Sequence, residues 1–338
     1  MQILQQSKAV EPLLTAGEAW KDQNNIARLL SSPQRVTYKD RIYPVNDKYG
    51  FGRCIKHFAG LPEEASLPGV VPHGAGTYGR LSQAAQAPKQ ELLKKAPCIF
   101  ASNDRCFDAF WNSGKRYIFP IGLASIYAHA CLQEETINSK GSLFFRIHST
   151  HSLIDQLNDS EVIKWLFSLP KKFHPIRIAA FPFDWSRGIY KPYAEAGFKI
   201  VSAGSEYDQD FIWRHLHLIR GHQRILSTGM GTHIFHAVMC GKPVIIKQFH
   251  NNYRLTNKHF NYDQVAAHEF QNLGAIFKEE LNEPSAAQVS LTRHFLGLDH
   301  TLPPPALRSI IGLAQRIHDS HHQIPPGQAI TSKKQITR

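Results

Sequence analysis

Short apolar runs alternate with helix-like segments over the second half of the chain, and this alternation constrains the fold more than any other feature. "GSLFFRIHSTHSL" gives a strand and a polar loop; "DSEVIKWLFSLP" has helical spacing and stops at Pro170. "IRIAAFPFDW" is a strand with a loop, "YKPYAEAG" a short helix and "FKIVSAGS" another strand. "DQDFIWRHLHLIRGH" reads as a helix, "RILST" as a strand, and "PVIIK" as the strand after one more helix. Apolar runs of this length between helices indicate buried parallel strands. Their alternation with helices predicts an α/β sheet with right-handed crossovers.

The same rhythm occurs earlier. "CIFAS" is strand-like, Asp104 to Trp111 is helix-like and stops near Asn112-Ser113-Gly114, and "RYIFPIG" is strand-like again. The polar stretch "LQEETINSKG" separates the two series. The expected organisation is an α/β domain over 1–140, a second α/β domain over 141–320 and a basic tail over 321–338. The chain has 338 residues, enough for two domains with sizeable cores. In such sheets ligands bind at the carboxyl ends of the strands, so two facing domains place a cleft there.

Within the second series, "STGMGTHIFHAVMCGKPVII" (227–246) carries the most chemistry. Its loop lies at the carboxyl end of "RILST" and at the entrance of a helix. Gly229 and Gly231 permit tight turns and close approach of a ligand to the backbone. Free amides and the helix dipole at that entrance attract an anion such as phosphate. Thr232 or Thr228 is suited to cap the helix or to hold a phosphate oxygen. Gly241 fits as the helix stop, and Lys242-Pro243 turns the chain into the next strand. An ordinary strand-loop-helix connection explains the same residues.

This stretch resembles the donor-side motif of glycosyltransferase-B fold enzymes, in which a glycine-containing loop leads a helix, Gly-Lys-Pro and a strand. Residues 141 to 246 resemble more closely a group of bacterial capsule and polysaccharide biosynthesis proteins with that fold, through "GSLFFRIHSTHSL", "PIRIAAFPFDW", "GIYKPYAEAGFKIVSAGSEYDQDFIWRHLHLI" and "ILSTGMGTHIFHAVMCGKPVI". The N-terminal half matches more loosely, through "VVPHGAG" and "YIFPIGLASIYA". The resemblance implies two Rossmann-like domains facing a cleft, a nucleotide-sugar donor, and a glycan or lipid-linked acceptor. Many enzymes of this fold have a glutamate near the position of His236 that holds the donor ribose. A histidine there can donate or accept a hydrogen bond but is not a fixed acceptor.

Other candidates follow from their places at strand ends. In "HSTH", His148, Ser149, Thr150 and His151 are expected to face the cleft and grip a diphosphate, with His148 as acid or base. A capped loop is the alternative. His73, before a flexible glycine loop, is the expected base for an acceptor hydroxyl. Gly204 ends a strand and lets a base or ribose approach; Asp184 and Trp185 fall at another strand end, with Trp185 either stacking on a ring or packing in the core. Arg214, Arg220 and Arg224 read mainly as a solvated helix face, with one arginine available to steady phosphate. Pairs of histidines without a third ligand do not make a metal site, so neither metal nor cofactor is expected.

Net charge of +12 favours acidic partners. The basic residues are spread along the chain, and no helix-turn-helix, zinc-finger or RNP signature points to specific nucleic-acid binding. Five scattered cysteines with no CxxC pair suggest reduced thiols. With no signal-peptide pattern and no apolar run long enough to span a bilayer, the expected location is the cytoplasm, with peripheral contact at the inner face of the membrane compatible with the basic surface. The leading expectation is a metal-independent glycosyltransferase of polysaccharide biosynthesis. A phosphosugar epimerase, a polyol-phosphate transferase, or a non-catalytic binding protein on the same fold are the alternatives.

Overall fold

The computed structural model describes residues 10–31, 40–74, 96–132, 139–149, 153–250, 253–255 and 272–323. Helix α1 (Ala16–Asp22) starts at a capping box, in which Thr15 and Glu18 satisfy each other's backbone amides. It leads into α2 (Ile26–Leu30). Helix α3 (Phe51–Phe58) precedes a β-α-β unit made of β1 (Cys98–Ala101), α4 (Asp104–Asn112) and β2 (Tyr117–Pro120), followed by α5 (Ala124–Ala130). Asn103 caps α4 by accepting the Cys106 amide at 2.9 Å, and Gly114 at φ +93° lets the chain leave it. Strand β1 pairs in parallel with β2 and, through an isolated bridge, with Val70.

The second series gives β3 (Ser142–Phe145), β4 (Leu153–Asp155), α6 (Asp159–Ser168), β5 (Ile176–Ala179), α7 (Pro182–Trp185), α8 (Lys191–Glu195), β6 (Lys199–Val201), α9 (Phe211–Arg220), β7 (Arg224–Ser227), α10 (Thr232–Met239) and β8 (Val244–Ile246). Strands β3, β5, β6, β7 and β8 form one parallel sheet in the order β6-β5-β3-β7-β8. Written in order of appearance this is 3-2-1-4-5, the doubly wound arrangement, and its direction reverses between β3 and β7. The α/β class, the parallel strands and their sequence are as the alternation predicts. Strand β4 pairs antiparallel with β9 (Tyr253–Leu255), a small ribbon that the polar loop after β3 does not announce. Helices α11 (Ala286–Leu296) and α12 (Pro304–Gln323) close the described chain.

The termini cross between the two series. Trp20 of α1 packs tilted against His222, and Gln23 donates to the Ser202 carbonyl while accepting the Ser202 amide, so the first helices sit on the second sheet. Helix α12 returns to the first sheet, where Arg308 donates to the Ala59 carbonyl and Cys98 lies against Ala314. One apolar cluster consequently runs through Phe58, Phe100, Tyr127, Trp213, Phe235 and Leu307 without a break between the two series.

Helix α9 corrects the reading of Arg214 as part of a solvated face. Every residue from Ile212 to Ile219 is buried, because α1, α5 and α10 pack around it. Arg214 is 2% exposed and satisfied by carboxylates: its Nε donates to Asp22 at 2.6 Å, its Nη2 to Asp208 at 3.0 Å, and its Nη1 to the Ala203 carbonyl at 2.6 Å. Arg224 lies over the Phe173 ring and faces Glu280.

Candidate functional site at the reversal of the sheet

A cavity of about 350 Å³ opens where β3 and β7 end, within the size range of small-molecule sites. Its floor is the backbone after β3 (Arg146, Ile147, His148) and the start of α10 (Gly231, Thr232, His233). Residues from the first series, including Tyr49, Phe51 and His73, form the opposite wall. The cleft expected from the alternation of elements is thus where the strand order puts it.

At the start of α10 the Ncap residue is Gly231, and no side chain caps the helix. The first-turn amides and the positive end of the dipole therefore point toward the cavity, an arrangement that suits an anion. Thr228 does not serve as the cap: its Oγ1 accepts the Ile147 amide at 2.9 Å and ties the two strand ends together. Thr232 is the first residue of the helix and lines the cavity. Gly229 lies below it, with its amide and carbonyl both held by Ser227 Oγ. That hydroxyl donates to the Gly229 carbonyl at 2.8 Å, so at 3.0 Å His233 Nε2 is the donor toward it, which fixes the neutral tautomer with the Nδ1 lone pair free of its proton. Gly231 is extended, and its glycine is needed for space: a Cβ would lie 2.7 Å from the His233 ring.

The cavity is rich in imidazoles and poor in charge. His215 and His236 meet edge to face at 5.1 Å, and His233 stacks on Phe145 at 4.6 Å. Burial pulls His215 down to about 4 and His233 to about 3, the latter helped by His215 and His148; His236 is held well below its ordinary value by burial and by the neighbouring imidazoles. All three are neutral at pH 7. His236 is 4% exposed; its Nε2 meets Ser125 Oγ of α5 at 2.9 Å, and its Nδ1 is buried without a hydrogen-bond partner among the described residues. His236 is therefore a neutral bridge between the two series. Arg146, the one Lys or Arg among the described lining residues, is committed to Asp159 through Nε at 2.7 Å.

The other sequence candidates separate. His148 lies at the rim, stacked on Phe181 at 4.5 Å, and its Nδ1 donates to the Ser149 carbonyl at 2.9 Å, so in the neutral ring the lone pair is on Nε2. Ser149 is buried, and its amide is taken by Asp184 Oδ2 at 2.9 Å, so neither is offered to the cavity. Asp184 is fully buried beneath it, and Trp185 packs against a core cluster. Thr150 and His151 lie outside the described residues. Gly204, at φ +102°, is off the lining; a Cβ there would press on Asp208 and Arg214, so this glycine serves the Arg214 ion pair. His73 does reach the cavity wall, between Tyr49 and Phe51, and burial with Lys48 nearby pulls it to about 4.

Tyr49, Phe51, Phe145, Phe181, Phe211 and His215 line the cavity but are not found by motif reasoning. Only one signal was present: Phe211 and His215 are four apart, on one face of the predicted helix. Among the described residues no group of three His, Cys, Asp or Glu side chains is arranged to hold a metal ion, and no helix is long and apolar enough to cross a membrane.

Fold and site together define an α/β protein of the doubly wound kind with a ligand crevice at the reversal of strand order. No family model and no curated protein matches the sequence. Among solved structures, the chain is similar to the S. aureus MnaA–UDP co-structure, with 12% identity and TM-score 0.39 over 76% of this chain and 68% of that one. It is similar to UDP-GlcNAc 2-epimerase from Neisseria meningitidis bound to UDP-GlcNAc, with 13% identity and TM-score 0.34 over 81% and 82%. It is also similar to the accessory secretory protein 1, 2 and 3 structure from Streptococcus pneumoniae, with 10% identity and TM-score 0.31 over 72% of this chain and 47% of that one, so it spans under half of that relative. Likeness at this level bears on neither activity nor ligand.

Proposed function

We propose that this protein is an enzyme acting on a nucleotide-activated sugar, and that it transfers the sugar to a glycan or lipid-linked acceptor in bacterial surface polysaccharide biosynthesis. The observation that carries the reading is the uncapped start of α10 at the reversal of the sheet, opening into the cavity. Amides at such a helix start favour a diphosphate. They favour it more as the glycosidic C–O bond breaks and negative charge gathers on the leaving oxygen, which is the condition for catalysis rather than mere binding.

In this reading the acceptor hydroxyl attacks the anomeric carbon, the bond to the diphosphate breaks, and the hydroxyl proton passes to an imidazole. His148 suits that task better than His73. Its Nε2 is an acceptor at the rim, whereas His73 at about 4 is a weak base at neutral pH. The leaving group is stabilised by backbone and dipole, so the proposal requires no metal and no cofactor. The acceptor meets the rim from the basic surface, and the work takes place in the cytoplasm or at the inner membrane face.

The test is a thermal-shift screen with nucleoside mono- and diphosphates and nucleotide sugars, repeated for Thr232→Ala and His148→Ala. Ligand at a hundred times its dissociation constant should add about 2.7 kcal/mol of stability. A shift for one nucleotide series that Thr232→Ala weakens supports the reading. The absence of any shift rejects it. Turnover of a nucleotide sugar without an acceptor would replace transfer by epimerisation.

A further inference from the structure

Tyr49 is the one non-glycine residue with positive φ among the described residues, at +58°. A bulky side chain in the left-handed region is held there by its surroundings, and such strain collects at functional sites. The surroundings are visible. The Tyr49 amide donates to the Glu206 carbonyl at 2.6 Å, Gln209 Nε2 donates to the Asp47 carbonyl at 2.8 Å, and Lys48 pairs with Glu206 at 3.2 Å. Gly50, at φ +73°, lets the backbone sit directly on the Gln209 carbonyl, where a Cβ would collide. This turn of the first series is thereby pinned to the loop after β6.

Its effect is to aim the Tyr49 ring at the cavity. The ring is half-buried, meets Phe211 edge to face at 5.0 Å, and lies 5.7 Å from both Phe51 and His73. This aromatic wall stands at the β6 side, whereas the open helix start follows β7. Three strand spacings separate β6 from β7 in the sheet order, roughly 14 Å. The cavity thus has the anion site at one end and Tyr49, Phe51 and Phe211 at the other, with His215 and Phe145 between them. Among the described lining residues there is no Asp, Glu, Asn or Gln. At the ring end Tyr49, Phe51 and Phe211 present flat aromatic faces, which suit a flat, uncharged group.

Resting on the nucleotide-sugar reading above, we propose that Tyr49 is the stacking wall for the nucleobase, so that the first series, not the sheet that binds the phosphates, selects for a base. The ring holds the far end of the ligand while α10 holds the diphosphate, and the two together set the length of ligand that fits.

The experiment compares uridine diphosphate, adenosine diphosphate and inorganic pyrophosphate by calorimetric titration against the full chain and against Tyr49→Phe and Tyr49→Ala, with thermal melts confirming that each variant folds. Stacking on an aromatic side chain accounts for about fivefold to a hundredfold in affinity. The expected result is that Tyr49→Ala weakens nucleoside diphosphates by that factor, Tyr49→Phe restores them, and pyrophosphate is unchanged in both. Equal weakening of nucleotide and pyrophosphate would make Tyr49 a structural residue and overturn the inference. So would an unchanged nucleotide affinity in Tyr49→Ala. Wild-type protein that binds pyrophosphate as tightly as nucleotides would overturn it while leaving the anion site intact. Wild-type protein that binds none of the three rejects the nucleotide reading itself, and this inference with it.

Discussion

At Gly231 a hydrogen stands where any other residue would put a carbon 2.7 Å from the His233 ring. Gly231→Ala should therefore displace the ring, break its bond to Ser227 and tilt the first turn of α10. On the nucleotide reading proposed above, this costs about tenfold in nucleotide affinity, of order 1.4 kcal/mol, with the fold retained; titration calorimetry and a thermal melt check it together. The buried imidazoles give a second prediction. His215 and His222 have folded-state pKa values lowered to about 4 by burial, below the unfolded value near 6.5. Between these values the unfolded chain binds more protons than the folded one. The stability they contribute is thus complete above about pH 6.5 and is lost as pH falls toward 4, at about 1.4 kcal/mol per pH unit for each histidine. Urea unfolding at pH 7.5, 6 and 5 should show this slope, and a flat profile would refute the neutral buried state. Ser125→Ala, which leaves His236 with both ring nitrogens unpartnered, should cost about 1–3 kcal/mol in the same assay.

At the scale of the element, what the sequence reveals depends on which force shapes the segment. Strands β3, β7 and β8 were legible because they are largely buried on both faces, which forces continuous apolar runs, and β5 and β6 through short apolar runs beside the less buried Arg177 and Lys199. The limits of α4 and α10 were legible because Asn103, Gly114 and Gly241 act locally. Helix α9 was legible as a helix but not in its environment: "RHLHLIR" looks polar, yet three carboxylates from α1 and the loop after β6 reach Arg214, and no local pattern encodes those distant partners. The site divides in the same way. The start of α10 follows from the glycine loop, whereas Tyr49 and Phe51 reach the cavity only because their segment docks on the loop after β6. The prediction for α9 is direct. Arg214→Met removes the guanidinium and leaves Asp22, Asp208 and the Ala203 carbonyl without it, so unfolding should cost about 3–5 kcal/mol less than in the parent, measured by chemical denaturation. A variant of parental stability would show that solvent hydrates those carboxylates adequately.

For the whole molecule, the crossing of the termini matters most. Helices α1 and α2 are fastened to the second sheet by Gln23 and Asp22, and α12 is fastened to the first through Arg308, Leu307 and Ala314. A chain cut near residue 140 leaves each piece without a helix that the other piece carries. Each fragment made alone would expose apolar surface and be insoluble, while co-expression of the two should restore a soluble complex; size-exclusion chromatography decides between these. The same crossing has a mechanical meaning. Two sheets joined by one strand of chain can swing like a door on a single pin. Here three straps join the two series, at the middle and at either end, and the Ser125–His236 bond adds a latch beside the cavity. Closure over a substrate would have to proceed as a small rotation that all the straps share, so a change in α1 or α12, far from any ligand, should be felt as a change in how quickly the cavity opens and shuts.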